Sequence, residues 1–514
     1  MNITEIWSDY QKGRDYLGSV NLYSRAETCH NFINGLQWKG LKYGTERPPQ
    51  LNILLPMMKA STALVGQNSM SINYTSMNYG KNRQTLLNVC SVLNSNAEKL
   101  WEKLKMDSMI WKVLEDAYIT GDSFLYFYDD ASCENGKILC ELLDTTNIML
   151  ADEQQPDIQK QPYILIVQRK NVNEVKDMAR AFGVSEDDIA DIVPDSDTET
   201  QINGENEVAS NSKLTLVAKL WKENGCVQIS RSTKSVLVQP QTEITGLSRY
   251  PIAQYSWKPR KGLARGDGDV WDKIPNQISI NKSLFRLEQA VRSAAYPIKV
   301  YRENAVTPNQ SAKLNQPGAS ISLRGNADAP IANVIAYMQP GAISPYAKSY
   351  WQDLIALTRD LSGSGDNLEN VNPEKASGVA IQSIMDAKTL NVNMQVAAFR
   401  QFVEDIAWIW YELLIAYNPE GLMIYNESPD ENGKYSYIIP TNILKALDID
   451  IKVDVAPSSN TWAAIRDSQL KEMLEKGLIT FEEYVNVLDK NSTMPVEAFR
   501  KITESRSEVG DIEM

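Results

Sequence analysis

Between Gly266 and Tyr417 the apolar positions fall on helical spacings, and this stretch organises the chain. From Asp269 to Ala295, residues Val270, Ile274, Ile278, Leu284, Leu287, Val291 and Ala294 recur mostly at steps of three, four or seven. That spacing predicts one helix with a single apolar stripe. Pro275 fits only in its first turn or at a kink. A second helix is predicted with Ser344 as N-cap and Pro345 as its first residue, carrying Tyr346, Tyr350, Leu354, Leu357 and Leu361 as its stripe. At 1.5 Å per residue the two helices span about 40 Å and about 25 Å. A third helix, predicted over Ser377 to Tyr417, would run about 60 Å. Its second half is apolar nearly all round, from Val396 to Leu414, and so must be covered by neighbours. Between the second and third helices, Ser362 to Lys375 is a loop with glycines to turn and almost nothing to pack.

Elsewhere helical and strand patterns mix. Helical spacing is predicted around Tyr10 to Tyr23 and Ala26 to Leu36, from Asn52 to Gly66, and over Leu86 to Leu104 and Asp107 to Tyr118. Strands are predicted at Ser71 to Tyr74, Ser123 to Tyr128, Ile138 to Leu143, Tyr163 to Arg169 and Ser235 to Val238. A helix follows at Val172 to Phe182, and Asn224-Gly225 predicts a tight hairpin between Leu214 to Lys222 and Cys226 to Arg231. Ser185 to Ser212 has few apolar residues and is expected to be a solvated insertion. Tyr296 to Ala342 is predicted to be a small β unit with strands at Ile298 to Tyr301, Ser320 to Leu323 and Val334 to Met338. After Pro419 come strands at Leu422 to Tyr425, Tyr435 to Ile439 and Ile449 to Val455, then short helices from Thr461 onward. The expected class is α+β, in several subdomains, since 514 residues exceed what one core usually supports.

Composition removes several function classes. Met1 to Gly18 carries charges throughout and the longest apolar run, Ile406 to Tyr417, is too short to span a bilayer, which predicts a soluble intracellular protein with no membrane partner. Five cysteines in no metal-ligand spacing are expected to be buried thiols. His30 is the single histidine, so a two-histidine zinc site is impossible; it is expected to be a structural or surface histidine. A net charge of -13 argues against a surface that grips nucleic acid by neutralising phosphates. There is no Gly-x-x-x-x-Gly-Lys-Ser/Thr loop, and Gly262 to Gly268 predicts a turn into a helix rather than a nucleotide site. Asp448, Asp450 and Asp454 share one face of a strand, the set a two-metal nuclease would use, but also what a solvated strand edge presents. Asp195, Asp197 and Glu199 resemble the start of a calcium loop without its glycine or closing glutamate. No catalytic constellation, cofactor motif or metal site is predicted.

The order of several short motifs carries a resemblance. Asn52-Ile53-Leu54 precedes a buried helix, Tyr118-Ile-Thr-Gly-Asp122 precedes an aromatic strand, and Pro251 to Trp257 leads to Gly266-Asp267-Gly268. Gln277 and Asn281 then lie on a long helix, and Ala376-Ser-Gly-Val-Ala-Ile-Gln382 opens another. Together these resemble the portal proteins, the head-to-tail connectors of tailed double-stranded DNA bacteriophages. The resemblance implies a homo-oligomeric ring, twelve copies in the family, at the capsid portal vertex of the virion, assembled in the host cytoplasm. Double-stranded DNA would pass through it during packaging and ejection. Terminase, the head-tail adaptor, scaffolding protein and the major capsid protein would be its partners.

On that resemblance, residues 1–267 form an α+β wing, 268–295 and 344–362 the two stem helices, and 296–343 a β-rich clip. Residues 363–376 form the tunnel loop, 377–460 the wing's long helix and strands, and 461–514 a small helical crown. Tyr301, Arg302, Lys313 and Arg324 are the clip candidates for docking terminase and adaptor. A channel that lets a polyanion slide should not offer rows of bases. The loop accordingly offers Asp366 and Glu369, with Asn367, Asn370 and Asn372 as polar bumpers and Lys375 as the candidate phosphate contact. The expected protein is structural rather than enzymatic. Two alternatives stay open: another ring or adaptor protein of a virion, or a metal-dependent nuclease built on Asp448, Asp450 and Asp454.

Overall fold

The computed structural model describes residues 2–40, 48–66, 68–76, 83–129, 138–195, 212–244, 246–295, 298–302, 304, 306, 308–313, 320, 322, 324, 330, 334–338, 345–361, 391–418, 421–425, 436–441, 444, 449–457, 470–481 and 484. It is an α+β chain of two compact units. The first comprises Met1–Asn31, Pro56–Trp271 and Asn367–Met514, the second Phe32–Leu55 and Asp272–Asp366.

The chain opens with α1 (Ile3–Ser19), α2 (Leu22–Ile33), α3 (Leu54–Gly66), β1 (Asn68–Ser76), α4 (Arg83–Lys103) and α5 (Met106–Thr120). Then come β2 (Asp122–Asp129), β3 (Ile138–Leu143), β4 (Ile148–Leu150), β5 (Tyr163–Asn171), α6 (Val172–Ala181) and α7 (Glu186–Ala190). Strands β6 (Lys213–Glu223), β7 (Cys226–Ser232), β8 (Leu237–Ile244) and β9 (Ile252–Ser256) complete this part. Strands β4 to β8 form an antiparallel sheet in chain order. Asn224 and Gly225, at φ 54° and 82°, make the tight turn that joins β6 to β7.

Both faces of this sheet are covered, which explains the unbroken burial of Ile164 to Val167. Leu165, Val167 and Val217 pack under Ile6, Tyr10 and Leu17 of α1. On the opposite face Leu214 and Leu216 pack with Val175, Ala179, Ile189 and Ile192. The last two residues correct the expectation that the insertion from Ser185 is solvated throughout. Its first part folds because Ser185 caps α7, accepting from the Asp188 amide at 3.2 Å, and two isoleucines three apart enter the core. Asp195 then accepts from the Thr215 amide at 2.7 Å and pairs with the buried Arg169, so its carboxylate serves the fold rather than a calcium loop. Asp197 and Glu199 lie outside the described residues.

A second sheet orders as β3-β2-β9. Across it lies the apolar helix that follows the second unit. This helix begins at Asn393, after a turn at Asn391 and Val392, and not at Ser377 as one continuous rod; residues 377–390 lie outside the described set. Its burial is as expected: Phe399 and Phe402 meet Tyr255, and Trp410 meets Trp101 and Phe127 edge-on.

The second unit contains α8 (Ile274–Ala295), β10 (Ile298–Tyr301), α9 (Pro308–Lys313), β11 (Ile335–Met338) and α10 (Pro345–Leu361). Helix α8 starts late enough to put Pro275 in its first turn, where a missing N–H costs nothing. It packs beside α10, and the two bracket an antiparallel ribbon with Ile298 opposite Met338. Of the expected strand at Ser320 to Leu323, Ser320 and Ser322 have no strand pairing and residues 321 and 323 lie outside the described residues; Pro308 opens the short helix α9.

The apolar helix, now α11 (Asn393–Tyr417), is followed by the pair β12 (Leu422–Tyr425) and β13 (Ser436–Ile439). Strand β14 (Ile449–Pro457) pairs antiparallel with β1, placing Asp450 opposite Thr75 and Asp454 opposite Ser71. Near the C-terminus a helical turn at 470–475 ends at Gly477 (φ +70°), with Leu478 N–H bonded to Met473 and Gly477 N–H to Leu474. Tyr484 is buried there among Leu470, Leu474, Ile479 and Phe481. The rest of the segment expected to form a crown, 461–469 and most of 482–514, lies outside the described residues.

Candidate functional site

The root of α8 is fixed by amides. Gln277, fully buried, donates to Leu51 O at 2.6 Å and accepts from the Ile53 amide at 3.1 Å, as a neighbouring strand would. One turn on, Asn281 accepts from the Leu51 amide at 3.1 Å and donates to Gln37 Oε1 at 2.5 Å. Gln37 in turn donates to Phe32 O at 3.0 Å. Asn52 ties the same segment down by donating to Ile33 O at 2.9 Å. The motif residues Asn52, Gln277 and Asn281 are therefore one buried clamp, 220 or more residues apart in sequence between its two sides. Gln277→Leu should cost about 2 kcal/mol in denaturant melting, because it strands the buried Ile53 amide, at about 1–3 kcal/mol, and a part-buried carbonyl. A cost below about 1 kcal/mol would mean that the clamp does not hold α8.

Beyond this root the helical pair changes character. Val291 of α8 is 52% exposed, and on α10 Tyr346, Tyr350, Leu357 and Leu361 are 83%, 59%, 60% and 75% exposed. These four lie at spacings of four, seven and four, a single helix face. The flank beside it turns inward, with Thr358 fully buried and Trp351 and Ile355 half-buried, and Leu354 of the predicted stripe is half-buried at that margin. The stripe that periodicity predicts is thus real, yet most of it is not used inside the chain.

Of the clip candidates, Tyr301 ends β10, Arg302 follows it, Lys313 ends α9 and Arg324 lies on no regular element. Tyr301 is 40% exposed, and Arg302, Lys313 and Arg324 are exposed. No recorded contact among the described residues brings these four side chains together. The loop candidates Asp366, Asn367, Glu369, Asn370, Asn372 and Lys375 lie outside the described residues.

The glycine-rich stretch at 266–268 is a structural joint. Gly121, at φ +113°, lies so close to Gly266 that an added Cβ would stand 2.7 Å from Gly266 O; at Gly268 a Cβ would stand 2.7 Å from Ile119 O. Asp269 N–H bonds Tyr118 O at 2.8 Å, and Gly266 N–H bonds the buried Asp122 carboxylate at 3.0 Å. No phosphate could enter so tight a backbone contact. The two motifs, Tyr118 to Asp122 and Gly266 to Gly268, are the two halves of that joint.

Asp450 is exposed beside exposed Lys452, Asp454 lies on the same paired strand, and Asp448 lies outside the described residues. Among the described residues no three histidine, cysteine or acidic side chains could hold a metal ion. His30 sits on α2 with Nε2 3.9 Å from Asp116 Oδ1, beyond hydrogen-bond reach. Burial lowers its pKa, and burial raises that of Asp116 well above the carboxylate range, helped by Asp144. Both are interior groups, as expected of a structural histidine. Cys29 and Cys90 are buried and Cys140 and Cys226 half-buried, all free, while Cys133 lies outside the described residues. Among the described residues no helix is long and apolar enough to cross a membrane.

No family model matches the chain, and no curated protein matches it in sequence.

Proposed function

We propose that the chain is the subunit of a portal-type ring, a channel for double-stranded DNA at one capsid vertex with docking surfaces for terminase and the head-tail adaptor. The observation that carries this reading is the pair α8 and α10. Its root is locked by the buried amide clamp, while its far part leaves Tyr346, Tyr350, Leu357 and Leu361 on one exposed apolar face. An apolar helix face of that length on a single chain marks an interaction surface. A second copy is the occupant that the motif order argues for. On this reading α8 and α10 are the stem and the β10–β11 ribbon the clip, with Tyr301, Arg302, Lys313 and Arg324 available to partners. Residues 363–376 would form the tunnel loop, and scaffolding and major capsid proteins would meet other surfaces of the ring.

Light scattering of the purified chain, with negative-stain imaging of the same peak, tests the proposal. The expected species has a mass near twelve times 57.8 kDa and a central hole. Scaffolding protein is added if the chain alone stays monomeric. A compact dimer without a hole, or a monomer even with scaffolding protein, would sink the ring.

A further inference from the structure

A cleft of about 660 Å³ opens in the first unit between the turn at 156–159, the loop that follows Trp257 and one face of α11. Helix α11 lines it with Ala398, Gln401, Phe402 and Asp405, at helical spacings of three, one and three. Gln401 and Asp405, one turn apart, are the polar residues that this helix, otherwise built for burial, brings to the cleft. None of it takes part in the helical pair or the clamp described above, so the inference does not rest on the ring reading.

Most charges in the cleft are matched by an opposite charge; among the described residues the exceptions are Lys222 and Asp405. Arg249 lies 3.4 Å from Glu412 and over the Trp408 ring. Arg260 lies 3.4 Å from Asp267, Arg265 3.0 Å from Glu153, and Asp157 3.1 Å from Lys160. Lys222 donates to Gln159 O at 2.8 Å and lies over the Tyr250 ring. Asp405 differs. It accepts one hydrogen bond, from Gln401 Nε2 at 3.3 Å, and no cation lies within ion-pair distance of it among the described residues. A half-buried carboxylate without a cation is costly, and the missing partner is a positive charge.

We propose that this cleft binds an arginine or lysine side chain presented by a peptide segment, with Asp405 as the carboxylate that receives the cation. The cleft falls within the ~300–1,000 Å³ range of ligand sites, several times what one guanidinium fills. Its remaining wall includes Gln254 and Gln401, whose amide nitrogens are taken by Ala264 O and by Asp405 and whose amide oxygens suit peptide N–H groups. The neighbouring guanidinium groups already have carboxylates and Asp405 would repel an anion, while Lys222, the remaining cation of the lining, is held by Gln159 O and the Tyr250 ring.

The cation also accounts for the state of Asp405. Burial pushes its carboxyl up to about 6; Glu404 and Asp157 add to the rise, and the Gln401 amide and Arg249 charge oppose it. A bound cation favours the ionised form, so binding is strongest above that value and weakens as pH falls through it.

The probes are Nα-acetyl-arginine methylamide and its uncharged citrulline counterpart, titrated into the full chain by calorimetry and saturation-transfer NMR. The arginine probe should bind, the citrulline probe roughly tenfold or more weakly, and Asp405→Asn should weaken the arginine probe by a similar factor. That variant removes a desolvated charge and should melt no lower than the unaltered chain. On the unaltered chain, affinity should fall from about pH 8 to about pH 5. Equal binding of the two probes, tighter binding of an acetyl-glutamate probe, or no binding at millimolar concentration overturns the proposal. If Asp405→Asn fails to fold, the citrulline comparison and the pH profile on the unaltered chain decide.

Discussion

A chain carrying both Tyr350→Asp and Leu357→Asp is expected to fold like the unaltered chain yet fail to form rings. Both side chains are about 60% exposed on the single chain, so nothing in its core depends on them. In the proposed ring they would lie between copies. Fully burying a large apolar side chain is worth about 1.5–3 kcal/mol, so burying the remaining 60% or so of these two gives roughly 2–4 kcal/mol per interface. Each aspartate then adds the cost of desolvating a charge with no partner. The loss corresponds to at least roughly a hundredfold weaker association per interface, and a closed ring needs every interface. The measurements are mass by light scattering and melting temperature of the monomer. Rings at the unaltered protein's concentration would show that this face is not the contact. A collapse of the monomer's melting temperature would show that the face is packed within the chain after all.

That stripe shows how much was legible. Periodicity places Tyr346 to Leu361 on one face but does not say whether the chain itself covers it; on α11 the same kind of pattern is buried, on α10 it is not. Local signals worked where the physics is local: the Asn224-Gly225 turn, Pro345 at a helix start, the helix after Asn171. They failed where average composition hid spacing, as with Ile189 and Ile192 inside an acidic stretch, and where a helix starts without a side-chain cap, at Asn393. Long-range pairings were not readable. Strands β1 and β14 lie more than 370 residues apart, and nothing in either names the other. The clamp and the joint fall between these cases: their residues stood out as motifs, but only the fold shows that Gln277 meets the Asn52 segment and that Gly268 meets Ile119. The cleft around Asp405 had no sequence signal beyond one acidic residue on an apolar helix.

The same joint supplies the largest expected loss of stability, from Arg265→Met. Arg265 is buried, and its guanidinium spends its donors on Glu153, on Thr145 in the turn before β4 and on the first residue of β4. Nε bonds Glu153 at 3.0 and 3.2 Å, Nη1 bonds Thr145 O at 2.9 Å and Oγ1 at 2.8 Å, and Nη2 bonds Ile148 O at 2.7 Å. Methionine keeps much of the bulk but none of the donors. It strands the largely buried Glu153 carboxylate and two carbonyls, and breaking a buried pair in this way costs about 3–5 kcal/mol. Asp122 fixes the sign of the pH dependence. Burial holds its carboxyl above the ordinary value, and the Arg265 charge is the largest influence opposing that rise. Without the arginine it rises further. A carboxyl that binds its proton more tightly when folded makes stability fall as pH climbs from its unfolded to its folded value. The deficit of the variant should therefore be larger at about pH 8 than at about pH 5. Urea melting at the two pH values measures both parts. A deficit under about 1 kcal/mol would show the arginine to be dispensable. A deficit larger in acid would show that the Asp122 carboxyl is held ionised by something other than Arg265.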